Sequence, residues 1–431
     1  MTLAHQRSAA PREVSLAALD LAAYVRPGDL VLWGQSSAEP VALTTQLMAQ
    51  RHEIGPFRCF LGISEAGTCR PEHGDVVTFL SYCAAATNRE LARHGLLRIL
   101  PIHYSDLPRF IRAGRLPVDV VMLAVPPPDP DGYYRLGVAD EYLSAAVDRA
   151  RVVIAEVNDQ VPRVAGGRRL RPDEIDVVVP VSRPLVEVAT RNPSDVEDAI
   201  ARRVAELVPD GATLQVGIGS LPTAVLRALA GHRDLGVHSG LLSDPIAELM
   251  EAGVITNARK TLDRGITVGG VLMGTRRLFS FVDGNPRVRL RETGYTHSLE
   301  VIAAQPQFVA VNAALEVDLT GQVNTEFVGG SYVGAVGGAV DFVRGAHRSP
   351  GGIPITVLPA TAGARSRIVA RLSGPVSVSR ADAGVVVTEY GVADLRGLSI
   401  EERQCRMLEI AHPDHRKELV EMESMASREA A

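Results

Sequence analysis

The stretch that organises this sequence is VNAALEVDLTGQVNTEFVGGSYVGAVGGAVDFVRGA, residues 311–346. It holds seven glycines, including the pair Gly337-Gly338, and apolar runs lie on both sides of the glycine-rich part. Glycine tolerates positive φ and lets a backbone approach a neighbour closely, so the pattern predicts a tight turn between buried elements. The N–H groups of such a turn can bind a carbonyl or phosphate oxygen. The glycine order matches neither a P-loop nor a dinucleotide-binding fingerprint, and a purely structural turn stays the alternative.

Length and composition exclude several classes of protein. A chain of 431 residues favours two domains of roughly 200 residues each. The hydrophobic share of 46% and the charged share of 22% are typical of a globular enzyme. A net charge of −5 without a run of Lys or Arg argues against nucleic-acid binding. No apolar run approaches the length of about 18 residues that a membrane span needs, and residues 1–15 lack the apolar segment of a signal peptide.

The four cysteines, Cys59, Cys69, Cys83 and Cys405, form no CxxC pair, and no histidine lies at metal-ligand spacing from them. This usage predicts buried thiols in a reducing cytoplasm and no structural zinc.

Short apolar runs alternate with helical stretches along the first half. Residues 16–26 predict an amphipathic helix that ends at Pro27-Gly28. The predicted strands are 29–34, 59–64, 97–102, 118–125, 151–158 and 175–182. Strands that alternate with helices indicate an α/β sheet that is largely parallel.

The second half repeats the plan of the first. Ser194 is the predicted start of a helix that ends before Pro209-Asp210-Gly211. The predicted strands are 213–220, 235–240, 266–274, 308–315, 354–361 and 385–391, and a helix is predicted over 244–252. Residues 27–40 and 209–222 both show a proline, a turn, a strand, a glycine-containing loop and a second proline, followed by a helix. The sequence therefore predicts two related α/β domains, 1–190 and 191–431, each with its active edge at the carboxyl ends of its strands.

Several long motifs resemble the acetyl-CoA hydrolase/CoA-transferase family, and within it the 4-hydroxybutyrate and acetate CoA-transferase group of class I enzymes. They occur in this order: EVNDQVPRVAG (156–166), LQVGIGSLPTAVL (214–226), LGVHSGLLSD (235–244), ALEVDLTGQVNTE (314–326), GAVGGAVDFVRGA (334–346), SRIVARL (366–372) and VVTEYGVADLRG (386–397). The resemblance covers almost the whole chain. It implies two α/β domains related by a pseudo-repeat, with an acyl-CoA thioester held at their interface.

The same resemblance assigns a use to the glycine loops and a reaction to the family. The residues implied to receive the thioester carbonyl and the pantetheine arm are Gly217, Ile218, Gly219, Gly334, Val336, Gly337 and Gly338. Family transferases exchange acyl groups in two steps: a glutamate attacks the thioester and then carries CoA as a glutamyl thioester. This is covalent catalysis with backbone N–H groups stabilising the oxyanion.

The chain departs from the family at the nucleophile. Family members carry the motif H-T-E-[MLF]-[LF]-S-D, and the matching residues here are HSGLLSD, 238–244. The position of the glutamate is Gly240, which has no side chain to attack with. The ordinary glutamyl-CoA route therefore cannot start from this position.

Four other side chains are candidates for roles in the site. Ser239 is a possible nucleophile, although it and His238 point to opposite faces of a strand and cannot form a pair within it. His238 is a candidate general base, because histidine titrates near working pH; a satisfied strand-end histidine is the alternative. Glu326 is a candidate base or an anchor of the glycine loop. Arg344 is a candidate partner for a substrate carboxylate or CoA phosphate, or for Asp341 in an ion pair.

These observations predict an acyl-CoA-processing enzyme of the cytoplasm with altered thioester chemistry, either hydrolysis or the making or cutting of a bond in the acyl part. True CoA transfer through another carboxylate, and a catalytically silent acyl-CoA-binding subunit, stay open. CoA is expected as substrate or product, with no permanently bound cofactor. No nucleic-acid or membrane partner is expected, and the resemblance implies a homodimer or a larger homo-oligomer.

Restoring the missing carboxylate is a direct test of the motif. We expect Gly240→Glu to create or raise exchange between acetyl-CoA and free carboxylates, because it supplies the nucleophile of the covalent route. Exchange is measured with labelled acetate. A folded variant without exchange would show that HSGLLSD is wrongly matched to the family motif, or that its geometry differs.

Overall fold

The computed structural model describes residues 10–189 and 191–429, so most of the amino-terminal segment on which the signal-peptide prediction rests lies outside the described residues. Its strands are β1 Arg12–Glu13, β2 Leu30–Trp33, β3 Phe57–Leu61, β4 Val77–Ser81, β5 Leu97–Ile99, β6 Val120–Val125, β7 Tyr134–Arg135, β8 Val152–Asn158, β9 Arg169–Leu170, β10 Val177–Val181, β11 Thr213–Val216, β12 Gly236–Val237, β13 Leu241–Leu242, β14 Thr267–Gly269, β15 Val271–Leu272, β16 Val288–Leu290, β17 Phe308–Ala313, β18 Glu316–Asp318, β19 Val323–Asn324, β20 Phe327–Val328, β21 Ser331–Tyr332, β22 Ile353–Val357, β23 Thr361–Ala362, β24 Arg365–Ser366, β25 Ile368–Val369, β26 Val385–Thr388 and β27 Gly391–Asp394.

The α-helices are α1 Val41–Ala49, α2 Arg51–Ile54, α3 Asn88–Arg93, α4 Leu107–Arg112, α5 Leu143–Arg149, α6 Asp195–Leu207, α7 Ser220–Ala228, α8 Asp244–Glu251, α9 Arg276–Val282, α10 Thr293–Thr296, α11 Leu299–Ala303, α12 Ala339–Arg348, α13 Ile400–Ile410 and α14 Pro413–Glu429. Within the described residues, no helix is both long and apolar enough to cross a membrane.

The chain forms two compact units, and the first is discontinuous in sequence. It comprises Met1–Ala189, Gly240–Asp244 and Ile266–Thr296, and the second comprises Thr190–Ser239, Pro245–Gly265 and His297–Ala431. The sequence analysis divides the chain once, near residue 190. The structure changes unit there and then returns to the first unit twice.

The first unit is built on an eight-stranded sheet with the order β1-β10-β8-β6-β2-β3-β4-β5. All of its neighbouring strands are parallel. The central strands are buried on both faces, as in β6, where all six residues are buried, because helices cover both sides of such sheets. The predicted α/β class with a largely parallel sheet is confirmed.

The second unit carries a six-stranded sheet with the order β12-β11-β17-β22-β26-β27. Its strands are parallel except for the last pair, β26 and β27, which form an antiparallel hairpin. Helix α6 begins as predicted at Ser194, whose hydroxyl caps the Glu197 amide while the Glu197 carboxylate caps the Ser194 amide.

Two local predictions are wrong. Residues 16–26 form two 3₁₀ turns, Leu16–Ala18 and Leu21–Ala23, in place of one amphipathic helix. The side chain of Gln50 breaks the helix there, because it accepts from the Leu21 amide at 2.7 Å and donates to the Leu19 carbonyl at 2.8 Å. Residues 266–274 form two short strands, β14 and β15, that pair with different partners on either side of Gly270.

The cysteines agree with the sequence prediction at three positions. Cys59, Cys69 and Cys83 are buried free thiols, whereas Cys405 is exposed on α13, against the prediction. Helix α13 is amphipathic and buries Met407 and Ile410, and Cys405 lies on its solvent side.

One glycine fixes the packing of two helices in the second unit. A Cβ on Gly345 of α12 would lie 2.3 Å from Cγ2 and 2.6 Å from Cβ of Ile302 in α11. We expect Gly345→Ala to lower the unfolding free energy of this unit by about 1–3 kcal/mol, the usual cost of overpacking. Urea unfolding measures the loss as a lower midpoint.

The control is Gly231→Ala, since a Cβ at Gly231 meets no atom within 4 Å. Its midpoint should match that of the parent chain. Equal midpoints for both variants would contradict the proposed packing constraint.

Candidate functional site

In the second unit, two segments with predicted site residues follow neighbouring strands of the six-stranded sheet. The loop Gly217–Gly219 follows β11, and His238-Ser239 follow β12. Since β11 and β12 are parallel neighbours, these segments meet at the carboxyl edge of the sheet, where α/β folds bind ligands. The structure therefore brings together two of the predicted groups of site residues.

Hydrogen bonds hold both ends of the first glycine loop, Gly217–Gly219. The Gly217 amide donates to the Val311 carbonyl at 3.0 Å. Gly219 has φ +106° and immediately precedes α7, a conformation that glycine adopts readily. The Ser220 hydroxyl donates to the buried Glu197 carboxylate at 2.5 Å. Ile218 is 41% exposed at the tip of the loop, so the tip is open to solvent while hydrogen bonds hold both ends of the loop.

The second glycine loop is held by Glu326. The carbonyl of Glu326 accepts from the amides of Val333 at 2.7 Å and Gly334 at 3.0 Å. A Cβ on Gly334 would lie 1.9 Å from the Thr325 carbonyl oxygen, so only glycine allows the chain to pass here. Val336 and Gly337 follow as half-buried residues.

The Glu326 carboxylate has a donor on each oxygen. Oε1 accepts from the Ser377 hydroxyl at 2.6 Å, and Oε2 accepts from the Tyr332 hydroxyl at 2.7 Å. The residue is 3% exposed. These contacts are those of a loop anchor, and the role of Glu326 as a base stays a prediction.

His238 and Ser239 are both buried, at 0% and 1% exposure. The Ser239 hydroxyl donates to the Val216 carbonyl at a long 3.5 Å, and the His238 ring packs edge-on against Phe308 at 6.3 Å between centroids. Their catalytic roles stay predictions.

His297 belongs to this neighbourhood and was missed by the sequence analysis. A Cβ on Gly338 would lie 2.5 Å from the His297 ring, which also packs against Phe342 at 4.6 Å between centroids. Burial, with a smaller contribution from His238, lowers the pKa of His297 to about 3. The ring is therefore neutral at physiological pH. A single histidine in the sequence TGYTHSLE carries no pattern that would have indicated this position.

Arg344 has a partner that the sequence analysis did not name. Its guanidinium makes a two-point ion pair with Asp382, with N–O distances of 2.9 and 3.0 Å. Binding of a substrate anion at Arg344 would have to compete with this carboxylate.

Gly240 lies in the first unit, unlike the other predicted residues. Its carbonyl oxygen accepts from the amides of Gly270 at 3.0 Å and Val271 at 3.1 Å. The chain then enters β13, which pairs in parallel with β15. Position 240 is thus a half-buried backbone turn fixed by two hydrogen bonds.

Beside this turn the first unit buries a polar cluster of Gln35, Tyr82, Tyr104 and Glu141. Oε1 of Glu141 accepts from Gln35 Nε2 and from the Tyr104 hydroxyl, both at 2.7 Å. The Tyr82 hydroxyl donates to Gln35 Oε1 at 2.7 Å. Burial raises the pKa of Glu141 to about 8, with the nearby Asp140 adding to the rise. The sequence analysis missed this cluster, because its members come from loops that are far apart in the chain.

Metal ligation finds no support in the part of the chain that the structure describes. It contains no group of three or more His, Cys, Asp or Glu side chains placed to hold an ion.

Comparison with known proteins gives matches over most of the chain. Residues 5–188 match the model of the acetyl-CoA hydrolase/transferase N-terminal domain, and residues 274–423 match that of the C-terminal domain. The 4-hydroxybutyrate coenzyme A transferase of Clostridium kluyveri is 41% identical over 336 residues, 77% of this chain and 78% of the relative. The succinyl-CoA:cyclohexane-1-carboxylate CoA transferase of Geobacter metallireducens is 34% identical over 94% of this chain and 93% of its own. The crystal structure of RipA from Yersinia pestis superposes with a TM-score of 0.91 at 35% identity, covering 96% of this chain and 98% of RipA.

The anchoring role of Glu326 can be tested through the glycine loop. Tyr332→Phe removes the donor to Oε2 and leaves a buried oxygen without it, which costs about 1–2 kcal/mol. We expect the amides of Val333 and Gly334 to exchange with solvent about five- to thirtyfold faster. Hydrogen-exchange mass spectrometry of this loop measures the change.

Tyr390→Phe is the control, because the Tyr390 side chain lies on the surface of the same unit at 37% exposure. It should leave exchange in the loop unchanged. Unchanged exchange in Tyr332→Phe would mean that the hydroxyl contributes nothing to the loop.

Proposed function

Since this chain belongs to the acetyl-CoA hydrolase/transferase family, we propose that it acts on a CoA thioester with water, and not an enzyme glutamate at position 240, as the attacking group. The chain is an acyl-CoA-processing enzyme of this family. The observation that carries the proposal is Gly240 in the motif HSGLLSD. A glycine supplies no carboxylate, so the covalent route has no starting group at this position.

Hydrolysis needs three things from the protein: a held thioester, donors for the developing oxyanion and a group that accepts a proton from water. The loops Gly217–Gly219 and Gly334–Gly338 are our candidates for the first two, because backbone N–H groups beside tight glycine turns stabilise an oxyanion well. The hydrogen bonds that fix the ends of each loop support this role, since donors that are already in place need not rearrange during the reaction.

CoA transfer through a different carboxylate is the second candidate. The relatives favour it, because the matched proteins of C. kluyveri and G. metallireducens are both named as CoA transferases. Making or cleaving a bond in the acyl part is a further reaction at the same thioester that needs no covalent acyl-enzyme. In either case CoA enters and leaves as substrate or product.

We also propose that the enzyme is cytoplasmic and that it assembles as a homodimer or a larger homo-oligomer. The buried free thiols of Cys59, Cys69 and Cys83 fit a reducing compartment. The oligomer rests on the resemblance to class I CoA-transferases.

A trapping experiment separates the two routes. Acyl-CoAs of varied chain length are incubated with the protein, free thiol is followed, and parallel samples are treated with hydroxylamine or borohydride before peptide mass analysis. We expect thiol release in water without a modified glutamate, because no acyl-enzyme forms. The Gly240→Glu variant serves as the positive control for trapping.

A hydroxamate or reduced product on a glutamate of the parent chain would contradict direct attack by water and support transfer through that carboxylate. Tight binding of every acyl-CoA without turnover would instead identify a silent subunit.

A further inference from the structure

We propose that Glu141 is the catalytic base that removes a proton from the attacking water beside Gly240. The inference rests on the proposed hydrolysis and names the residue that the reaction requires. No motif of the sequence analysis includes Glu141, and four structural observations support this role.

The first observation is that one carboxylate oxygen is fixed. Oε1 of Glu141 accepts from Gln35 Nε2 and the Tyr104 hydroxyl, both at 2.7 Å, and the amide of Gln35 also donates to the same Tyr104 oxygen at 3.0 Å. Two donors on one oxygen hold the plane of the carboxyl group. When the carboxyl group is protonated, the proton is therefore on the other oxygen, Oε2.

The second observation is that the other oxygen is unused. Oε2 of Glu141 has less than 1 Å² of exposed surface and no hydrogen-bond partner among the described residues. Buried polar atoms without partners are rare in folded proteins, and they concentrate where a catalytic group, a water or a ligand acts. Glu39 offers the contrast within the same unit. It is equally buried, yet Oε1 accepts from the amides of Glu65 and Ala66 and Oε2 accepts from the Ser64 hydroxyl.

The third observation is strain in the backbone. Glu141 has φ +42°, the left-handed region that side-chain-bearing residues avoid. The surrounding backbone enforces it, because the Asp140 amide donates to the Gly270 carbonyl at 3.0 Å and the Thr293 amide donates to the Glu141 carbonyl at 3.1 Å. Strain of this kind persists only where neighbours over-determine it, and it clusters at functional sites.

The fourth observation is the distance to position 240. A Cβ on Gly270 would lie 2.8 Å from the Gly240 carbonyl oxygen and 3.3 Å from Cγ of Glu141. Cγ of Glu141 and the Gly240 carbonyl oxygen therefore both lie within 3.3 Å of one point beside Gly270, which places the Glu141 side chain next to the turn at Gly240. All three residues belong to the first unit.

Among the titratable groups that face Glu141, none of those named below changes its charge near pH 8, where Glu141 does. Burial raises the pKa of Tyr82, Tyr104 and Tyr142 well above 10, so these phenols stay neutral. Burial raises the pKa of Asp140 to about 6, so it is ionised when Glu141 titrates at about 8. On the segment that binds the Glu141 carbonyl, Glu292 is paired with Arg112 at 2.6 Å. A base is most efficient when its pKa lies near the working pH.

The step conserves atoms and electrons. The water oxygen bonds to the thioester carbonyl carbon while one of its protons passes to Oε2 of ionised Glu141. The tetrahedral adduct then breaks its C–S bond, and the sulfur leaves with the electron pair. The proton on Oε2 passes to that sulfur, which gives a carboxylic acid and the CoA thiol and restores the carboxylate. No oxidant or reductant is involved.

The test compares Glu141→Gln with the parent chain and with Glu39→Gln, by thiol release from an acyl-CoA that the parent hydrolyses. The side-chain amide that Glu141→Gln introduces keeps the fixed oxygen and its two donors, so the fold should persist. We expect kcat to fall by about 10²–10⁴-fold, the usual contribution of a general base. KM and the melting temperature should stay close to those of the parent. Glu39→Gln should keep kcat within a fewfold of the parent value, because both carboxylate oxygens of Glu39 are engaged in structural hydrogen bonds.

The pH profile gives an independent readout. In the parent chain kcat/KM should rise with pH up to about 8, where Glu141 becomes ionised, and then level off. The Tyr104 hydroxyl lowers the pKa of Glu141 by its hydrogen bond, so Tyr104→Phe should move this rise to higher pH. The readout also serves if Glu141→Gln fails to fold.

Each outcome decides the inference. Retention of more than a third of kcat in Glu141→Gln, or an unmoved pH profile in Tyr104→Phe, would assign the base to another residue while hydrolysis itself stands. Absence of hydrolysis in the parent chain over the whole acyl-CoA panel would overturn the proposed function and the inference together.

Discussion

A carboxylate taken out of water must receive hydrogen-bond donors, a counter-ion or a proton, and this requirement shapes both units. Glu156 at the end of β8 accepts from the amides of Ala42 and Leu43 at the start of α1 and pairs with Arg183 at 2.6 Å. The Glu326 carboxylate has a donor on each oxygen, and its backbone carbonyl binds the second glycine loop. In both cases the buried charge joins segments that are distant in the sequence.

Glu141 meets the same requirement in a different way. Its surroundings supply donors to one oxygen only. At neutral pH a bound proton therefore removes the buried negative charge that the other oxygen would carry without a donor. A group held this way exchanges a proton without losing its orientation. Burial raises the pKa of Glu39, Glu141 and Glu156 alike, but Glu39 and Glu156 have donors on both oxygens and Glu141 has them on one.

The sequence predicted the class of fold well, because a parallel sheet buried on both faces needs apolar strands, and these are visible as short runs such as 118–125 and 151–158. It failed where a distant side chain decides the local structure. Gln50 turns residues 16–26 into two 3₁₀ turns. The return of residues 240–244 and 266–296 to the first unit also has no local pattern that could announce it.

For the site, motifs located the glycine loops and position 240, because short backbone turns leave a glycine signature in the sequence. Side-chain constellations leave none. Gln35 follows β2, Tyr104 lies in a 3₁₀ turn after β5, and Glu141 lies between β7 and α5, so only tertiary packing brings them together. The partner of Arg344 was likewise set by tertiary packing, since Asp382 lies 38 residues further along the chain.

The close approach at Gly270 has an evolutionary consequence. A methyl group there would lie 2.8 Å from a backbone oxygen, which cannot move aside as a flexible side chain could. A lineage that exchanged the residue at 240 for a different chemistry would therefore have to leave 270 untouched.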